Sequence, residues 1–306
     1  MDNCERFHDG EIAVQERTGE RAIALRHGAM LRDAITRPAQ AFLASQHAVA
    51  FGAVGASGRP WASLWLGAPG FVSSDTAGQV VRVSTDRQVA SPDDPLRAIL
   101  GPDRNIGMLA IDLASRRRLR INGRVAAMND EHLEITVREA FPNCPKYIQR
   151  RASVVDARAS LGSAPEQGET LDVERRSFVE RIDTLFVASR HPARGVDVSH
   201  RGGARGFVRI IDEKRLRVPD YPGNSMFQTL GNFEVEPRAG VVLVDFERGR
   251  FLSLTGTVAV SYGVEDPDHP SGGTGRYWEL AVDEWRDFAM PLGFGFRFVE
   301  SSAQNP

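Results

Sequence analysis

Five consecutive residues, Ser199-His200-Arg201-Gly202-Gly203, combine a hydroxyl, an imidazole, a guanidinium and two positions without side chains. An arginine meets a phosphate as a planar fork, and glycines leave backbone N–H groups uncovered for close approach. These are the parts of a phosphate cradle. Arg201 is the one member of the run that keeps its positive charge at every working pH. Downstream, Asn224-Ser225-Met226-Phe227-Gln228-Thr229-Leu230-Gly231-Asn232 is crowded with neutral hydrogen-bonding groups. His191 and His200 are near each other in sequence, but neither sits in a nucleophile or metal-binding arrangement, and nothing resembles a hydrolytic triad.

The chain carries its own comparison, because it contains this unit twice. Residues 107–127 align without a gap on residues 240–260, with seven identities in 21 positions, including Gly107/Gly240, Asp112/Asp245 and Gly123/Gly256. Residues 61–72 align on 197–208 with six identities in 12, and residues 80–83 align between them on 215–218. The copies differ where chemistry is expected. The first has Ser63-Leu64-Trp65-Leu66-Gly67 in place of the cradle, and Asp93-Asp94 in place of the neutral donors. Adjacent carboxylates repel a phosphate dianion. The second copy therefore reads as a site and the first as its degenerate partner.

The elements that must hold these residues are strands. Val241–Phe246 is an apolar run, then a charged turn, then Leu252, Leu254, Gly256, Val258 and Val260 on one face at period two. Leu119, Ile121, Gly123, Val125 and Ala127 repeat the pattern in the first copy. A glycine shared inside a strand marks a bulge, a bend or a close approach, which suits a small curved barrel. The apolar faces Leu119, Ile121, Val125 and Leu252, Leu254, Val258 are expected to pack barrel against barrel, the partner being either the other copy or another chain. Residues 11–35 suggest one or two helices before Pro38, residues 162–170 a linker, and residues 265–275 a flexible hairpin loop. The boundaries follow: an N-terminal helical arm over 1–40, a first barrel over 41–160 and a second over 170–306.

The chain has 306 residues, 42% hydrophobic and 25% charged, with a formal charge of -2. No global basic field invites nucleic acid or an anionic membrane. Cys4 and Cys144 are too few for a disulfide framework and lack zinc-site spacing, so no metal is expected. The start has no apolar signal region and no run is long enough to span a membrane, which makes the expected location cytoplasmic.

The string Gly195–Val208 (GVDVSHRGGARGFV), with residues 7–19, 141–151 and 221–232, resembles the pyridoxamine 5′-phosphate oxidase-like, FMN-binding split-barrel family, in a branch with two tandem copies. The resemblance covers nearly the whole chain. It implies a mainly β fold with flanking helices (α+β), built from two six-stranded Greek-key split barrels. It implies FMN between the barrels, phosphate deep and ring toward the opening. Ser199, His200, Arg201 and Gly202 would meet the phosphate, with Thr229 and Asn232 completing that end. Asn224, Ser225, Met226 and Phe227 would line the ribityl chain and ring. Lys146 and Tyr147 either reach the flavin from the first copy or form a surface turn, and Trp278 and Trp285, on a late strand and helix, either cover the ring or fill the core. Unlike the shorter family oxidases that pair as symmetric dimers, this chain is fused, and it shows no match to their substrate-phosphate residues. The implied function is an FMN-dependent oxidoreductase, a homodimer with a small-molecule substrate and a separate electron donor. A non-catalytic flavin-binding protein and a haem-binding split barrel are the alternatives.

Overall fold

The alternation that marks each repeated block becomes strand pairing in a computed structural model describing residues 6–86, 89–156, 164–291 and 293–306. The first sheet contains β1 (Ala48–Val54), β2 (Pro60–Leu66), β3 (Val72–Ser74), β4 (Val80–Ser84), β5 (Asn105–Asp112), β6 (Arg117–Met128) and β7 (His132–Asn143). Between the sheets run β8 (Arg150–Asp156) and the short β9 (Glu166–Gly168). The second sheet contains β10 (Thr184–His191), β11 (Gly195–Gly202), β12 (Arg209–Ile210), β13 (Arg215–Pro219), β14 (Arg238–Asp245), β15 (Arg250–Ser261) and β16 (Tyr277–Ala289). The last strand, β17 (Gly293–Glu300), returns to pair antiparallel with β8.

The two sheets share one strand order, β2-β1-β5-β6-β7-β4-β3 and β11-β10-β14-β15-β16-β13-β12. Each path has seven strands rather than six, because a strand of three residues (β3) or two (β12) extends the edge beside β4 or β13. β9 pairs with β16, so part of the segment read as a linker joins the second sheet, while residues 162 and 163 lie outside the described residues. The loop at 265–275 is folded about Asp266, whose carboxylate accepts from the Ser271 N–H (3.0 Å) and the Tyr277 hydroxyl.

The helices are α1 (Asp9–Arg17), α2 (Arg21–Gly28), α3 (Arg37–Ala44), α4 (Val173–Arg181) and α5 (Gln228–Val235). A reciprocal capping box starts α1: the Glu11 N–H donates to His8 Nδ1 (3.3 Å) and the His8 N–H to Glu11 Oε2 (2.9 Å). Pro38 closes no helix. It sits in the first turn of α3, where a missing N–H is tolerated. Among the described residues, no helix is long and apolar enough to cross a membrane.

Packing corrects one expectation. Leu119, Ile121 and Val125 fill the interior of the first half, and Leu252, Leu254 and Val258 that of the second. The opposite faces meet between the halves, where Leu64, Leu66, Leu109, Phe186, Val198 and Val242 form a separate apolar cluster. Period two makes both faces of a strand available, and here both are buried. Gly107 and Gly240 serve that seam: a Cβ on Gly107 would press on the Val196 carbonyl, and one on Gly240 on the Trp61 backbone. The other shared pair, Gly123 and Gly256, stands at register shifts in β6 and β15, the bulges expected of them. Trp278 and Trp285 both lie on β16, not on a strand and a helix, and both are buried in the second core.

Candidate functional site

A cleft opens at one end of the seam, enclosing about 100 Å³. One wall comes from the first half: Arg118 and Arg120 on β6, Asn143 at the end of β7, then Cys144, Lys146 and Tyr147 after it. The other comes from the second half: Ser199, His200, Arg201 and Gly202 on β11, the loop from Asp220 to Phe227, and the start of α5. Arg118 and Arg120 share a face of β6 because they are two residues apart, and the alternate Leu119 and Ile121 point into the first core.

Backbone geometry fits the loops to one another. Tyr147, Ser225 and Phe227 adopt left-handed conformations, with φ of 66°, 60° and 61°. Gly202 lies against the Tyr147 carbonyl oxygen, which any Cβ would overlap. The Tyr147 hydroxyl donates to the Pro222 carbonyl (3.0 Å), and its ring lies 4.8 Å from that of Tyr221. The N-terminal arm reinforces the same loop: Glu20 accepts from Ser225 Oγ and from Arg276 Nη1 (2.9 Å), and His27 Nδ1 lies 2.7 Å from the Asn224 carbonyl. Phe227 caps α5 without a side-chain hydrogen bond, so that helix N-terminus faces the cleft with uncapped amides.

The electrostatics are lopsided. Arg118, Arg120, Arg201 and Lys146 line the cleft with a single carboxylate, Asp220, among the described residues. Asp220 already serves two guanidinia, Arg201 Nη2 at 3.3 Å and Arg276 Nε at 3.0 Å. Arg118 Nε donates to the Cys144 carbonyl (2.8 Å), and Nη1 lies 3.2 Å from His200 Nδ1. Arg120 donates to Ser199 Oγ and, at 3.3 Å, to Asp197 Oδ1, while Ser199 Oγ lies 2.8 Å from Thr229 Oγ1. Burial, then the neighbouring Arg118 and Arg201, holds the His200 imidazole well below its ordinary value, so the ring is neutral. Burial, with further depression from Arg201 and Arg120, brings the Arg118 guanidinium down to about 9, still charged at neutral pH. Burial also lowers Arg201, against the pull of Asp220. Buried donors are left over: Arg120 Nε, Arg201 Nε and His200 Nε2 have no hydrogen-bond partner. A buried cation without a carboxylate partner, Arg118, and orphaned donors in a shielded cleft are costly unless an acceptor completes them.

Of the twelve residues singled out in sequence, ten line this cleft: Lys146, Tyr147, Ser199, His200, Arg201, Gly202, Asn224, Ser225, Phe227 and Thr229. Two do not. Met226 turns away to pack with Phe7, Ala24 and Phe141, because the left-handed residues on either side invert the chain around it. Asn232 is one turn further along α5 and donates to Asp197 Oδ2 (2.8 Å) and Ser189 Oγ (2.9 Å) behind the wall. Arg118 and Arg120 were missed. The aligned repeat held the signal, since they match Phe251 and Ser253 of the second copy, a pair of charges gained on one strand face. His191, given no ligand arrangement in sequence, stands beside His8 with ring centroids 4.2 Å apart, its Nε2 3.1 Å from Asp9 Oδ1.

The counterpart in the first half is closed. Trp65 Nε1 donates to Asp94 Oδ2 (2.7 Å) and Ser63 Oγ to the same carboxylate, while Leu64 and Leu66 lie in the seam.

No protein-family profile and no curated protein matches the chain. Among solved structures, a HupZ protein of Group A Streptococcus matches at 17% identity and a TM-score of 0.31, over 41% of this chain and 98% of its own. A protein described as a putative pyridoxamine 5′-phosphate oxidase from Lactobacillus delbrueckii matches at 13% and 0.31, over 40% and 96%. A protein of the pyridoxinephosphate oxidase family from Clostridium acetobutylicum matches at 14% and 0.29, over 42% and 93%.

Proposed function

We propose that this chain is a flavoprotein of the split-barrel type that holds one FMN in the cleft between its halves. The observation that carries this is the convergence of Arg118, Arg120 and Arg201 around a neutral His200, with three buried donor atoms unpartnered, Arg118 without a carboxylate partner among the described residues, and Arg120 and Arg201 meeting Asp197 and Asp220 only at 3.3 Å. That donor set fits a phosphate dianion. Ser199, His200, Arg201, Gly202 and Thr229, joined by Arg118 and Arg120, would hold the phosphate. Asn224, Ser225, Phe227, Lys146 and Tyr147 would meet the ribityl chain and the ring. Met226 and Asn232 act from behind the wall, one by packing and one through Asp197. The enclosed space suffices for the phosphate end, so the ring would lie toward the mouth.

A bound flavin supplies hydride and single-electron chemistry, and the chain supplies binding, orientation and a positive field. We read it as an oxidoreductase that takes electrons from a separate donor, in a homodimer whose clefts each form within one chain. The deciding measurement is the visible spectrum of the purified protein, followed by parallel fluorescence titrations with FMN and riboflavin. A flavin spectrum and a strong preference for FMN support the reading, and consumption of reduced nicotinamide under air separates catalysis from storage. A haem spectrum, or equal affinity for the two flavins, would sink it.

A further inference from the structure

A second cavity lies on the other side of Arg118 and Asn143, which line both. It encloses about 580 Å³, within the range of small-molecule sites. It runs between residues 30–42, the turn joining β5 to β6 with the start of β6, and the end of β7 with Pro145 just beyond it. Ile35, Phe42, Phe141 and Pro142 give it apolar walls. Arg32 is fixed at its edge by a two-way backbone pairing with Ala140, at 3.1 and 2.8 Å.

The charges of this cavity are all of one sign. Arg32, Arg116, Arg117 and Arg118 line it, and no Asp or Glu does among the described residues. Arg116 is neutralised by Glu300 at 3.0 Å. The other three have no carboxylate partner among the described residues. Arg32 donates to the carbonyls of Ala29 (2.6 Å) and Leu31 (2.9 Å), Arg117 stacks 4.7 Å over the Phe42 ring, and Arg118 donates to the carbonyls of Cys144 and Lys146. Asn143 Nδ2, on the wall common to both cavities, is buried without a partner. Arg118 is committed to His200 in the other cleft; in a chain of net charge -2, the two exposed guanidinia that remain beside this apolar hollow, Arg32 and Arg117, favour an anion with an apolar body.

We propose that this pocket binds an organic acid, a carboxylate carried on a flat apolar ring system. The ring lies against Phe42 and Phe141, and the carboxylate is directed to Arg117 and Arg32. Its standing as the substrate class of the flavoprotein rests on the reading above, whereas its binding does not.

The test uses the full chain, with naphthoate as the probe and naphthamide as its uncharged match, each titrated by calorimetry. Naphthoate is expected to bind at least about 10-fold more tightly than naphthamide, the scale of one charge-assisted hydrogen bond. Replacing both cations, Arg32→Gln with Arg117→Gln, should erase that preference while FMN affinity holds. Ala39→Phe, which fills the pocket, should remove both probes and keep FMN, which shows that the fold is intact. Equal affinities for the two probes, or indifference to the double variant, would overturn the proposal. Displacement of naphthoate by FMN, one for one, would also overturn it, because the pocket would then hold the flavin itself. A protein that binds naphthoate but no FMN would leave the pocket standing and remove the flavin reading alone.

Discussion

Arg118 and His200 face each other across the seam between the two halves, guanidinium Nη1 3.2 Å from imidazole Nδ1. A guanidinium only donates, so His200 Nδ1 accepts and the ring proton resides on Nε2. That proton is buried on the cleft wall with no acceptor. The first half thus sets the tautomer of a residue in the second and leaves its donor facing the cleft.

Arg201→Ala should weaken FMN by roughly 10- to 150-fold, from a charge-assisted hydrogen bond of roughly 1.5–3 kcal/mol. Riboflavin, lacking the phosphate, should bind almost as before. Fluorescence titration of both ligands decides it, and equal losses would take Arg201 out of the phosphate site.

Arg118→Ala should cost FMN affinity on a similar scale, roughly 10-fold or more, although Arg118 belongs to the degenerate copy. It should also free His200 Nδ1, making the imidazole easier to protonate. A histidine titration followed by NMR should show the His200 pKa rising in the variant. An unchanged titration would mean that the contact across the seam does not govern the ring.

Flavin released from denatured protein should be quantified at one per chain. Asp94 in the first half already accepts from Ser63 and Trp65, and Leu64 and Leu66 are committed to the seam. A ratio near two would show that this half opens after all.

Glu139 gives the pH dependence a definite sign. Burial, then the charge of Asp197, pushes its carboxyl from 4.5 up to about 7. Between those values the folded state keeps a proton that the unfolded chain has lost, so this contribution is present below pH 4.5 and is lost as pH rises to about 7. Its ceiling is about 3 kcal/mol at 1.36 kcal/mol per unit. Glu139→Gln should therefore gain stability over the natural chain between pH 5 and pH 8, read from urea midpoints; parallel pH curves for the two proteins would refute the assignment.

Gly240→Ala tests the seam. The added Cβ would meet the Trp61 backbone, and overpacking of this kind typically costs about 1–3 kcal/mol. A lower urea midpoint together with weaker FMN binding is expected, because that approach holds β14 of one half against β2 of the other. Gly249→Ala, with no neighbouring atom nearby but a φ of 63°, controls for backbone strain alone. If the two variants are indistinguishable, the seam is not what Gly240 protects.

The repeat, its β character, the bulged glycines and most of one cleft wall were legible in the amino-acid sequence, because each rests on local chemistry: alternation at period two, a glycine inside a strand, a cation between glycines. The comparison between copies also marked the half whose counterpart is closed, where Leu64 lies in the seam and Trp65 donates to Asp94. What the sequence could not decide was which strand face looks inward. Leu252 and Leu254 satisfy an internal core and a seam equally well, and the choice fell to the way two sheets, each buried on both faces, share their apolar area. The same decision turned Arg118 and Arg120 toward the other half's His200 and Ser199, some eighty residues away along the chain, and turned Met226 out of the cleft between two left-handed residues. Residue type supplied the donors. Tertiary packing brought the cations together, because their distances depend on pairing across the seam and not on spacing along a strand.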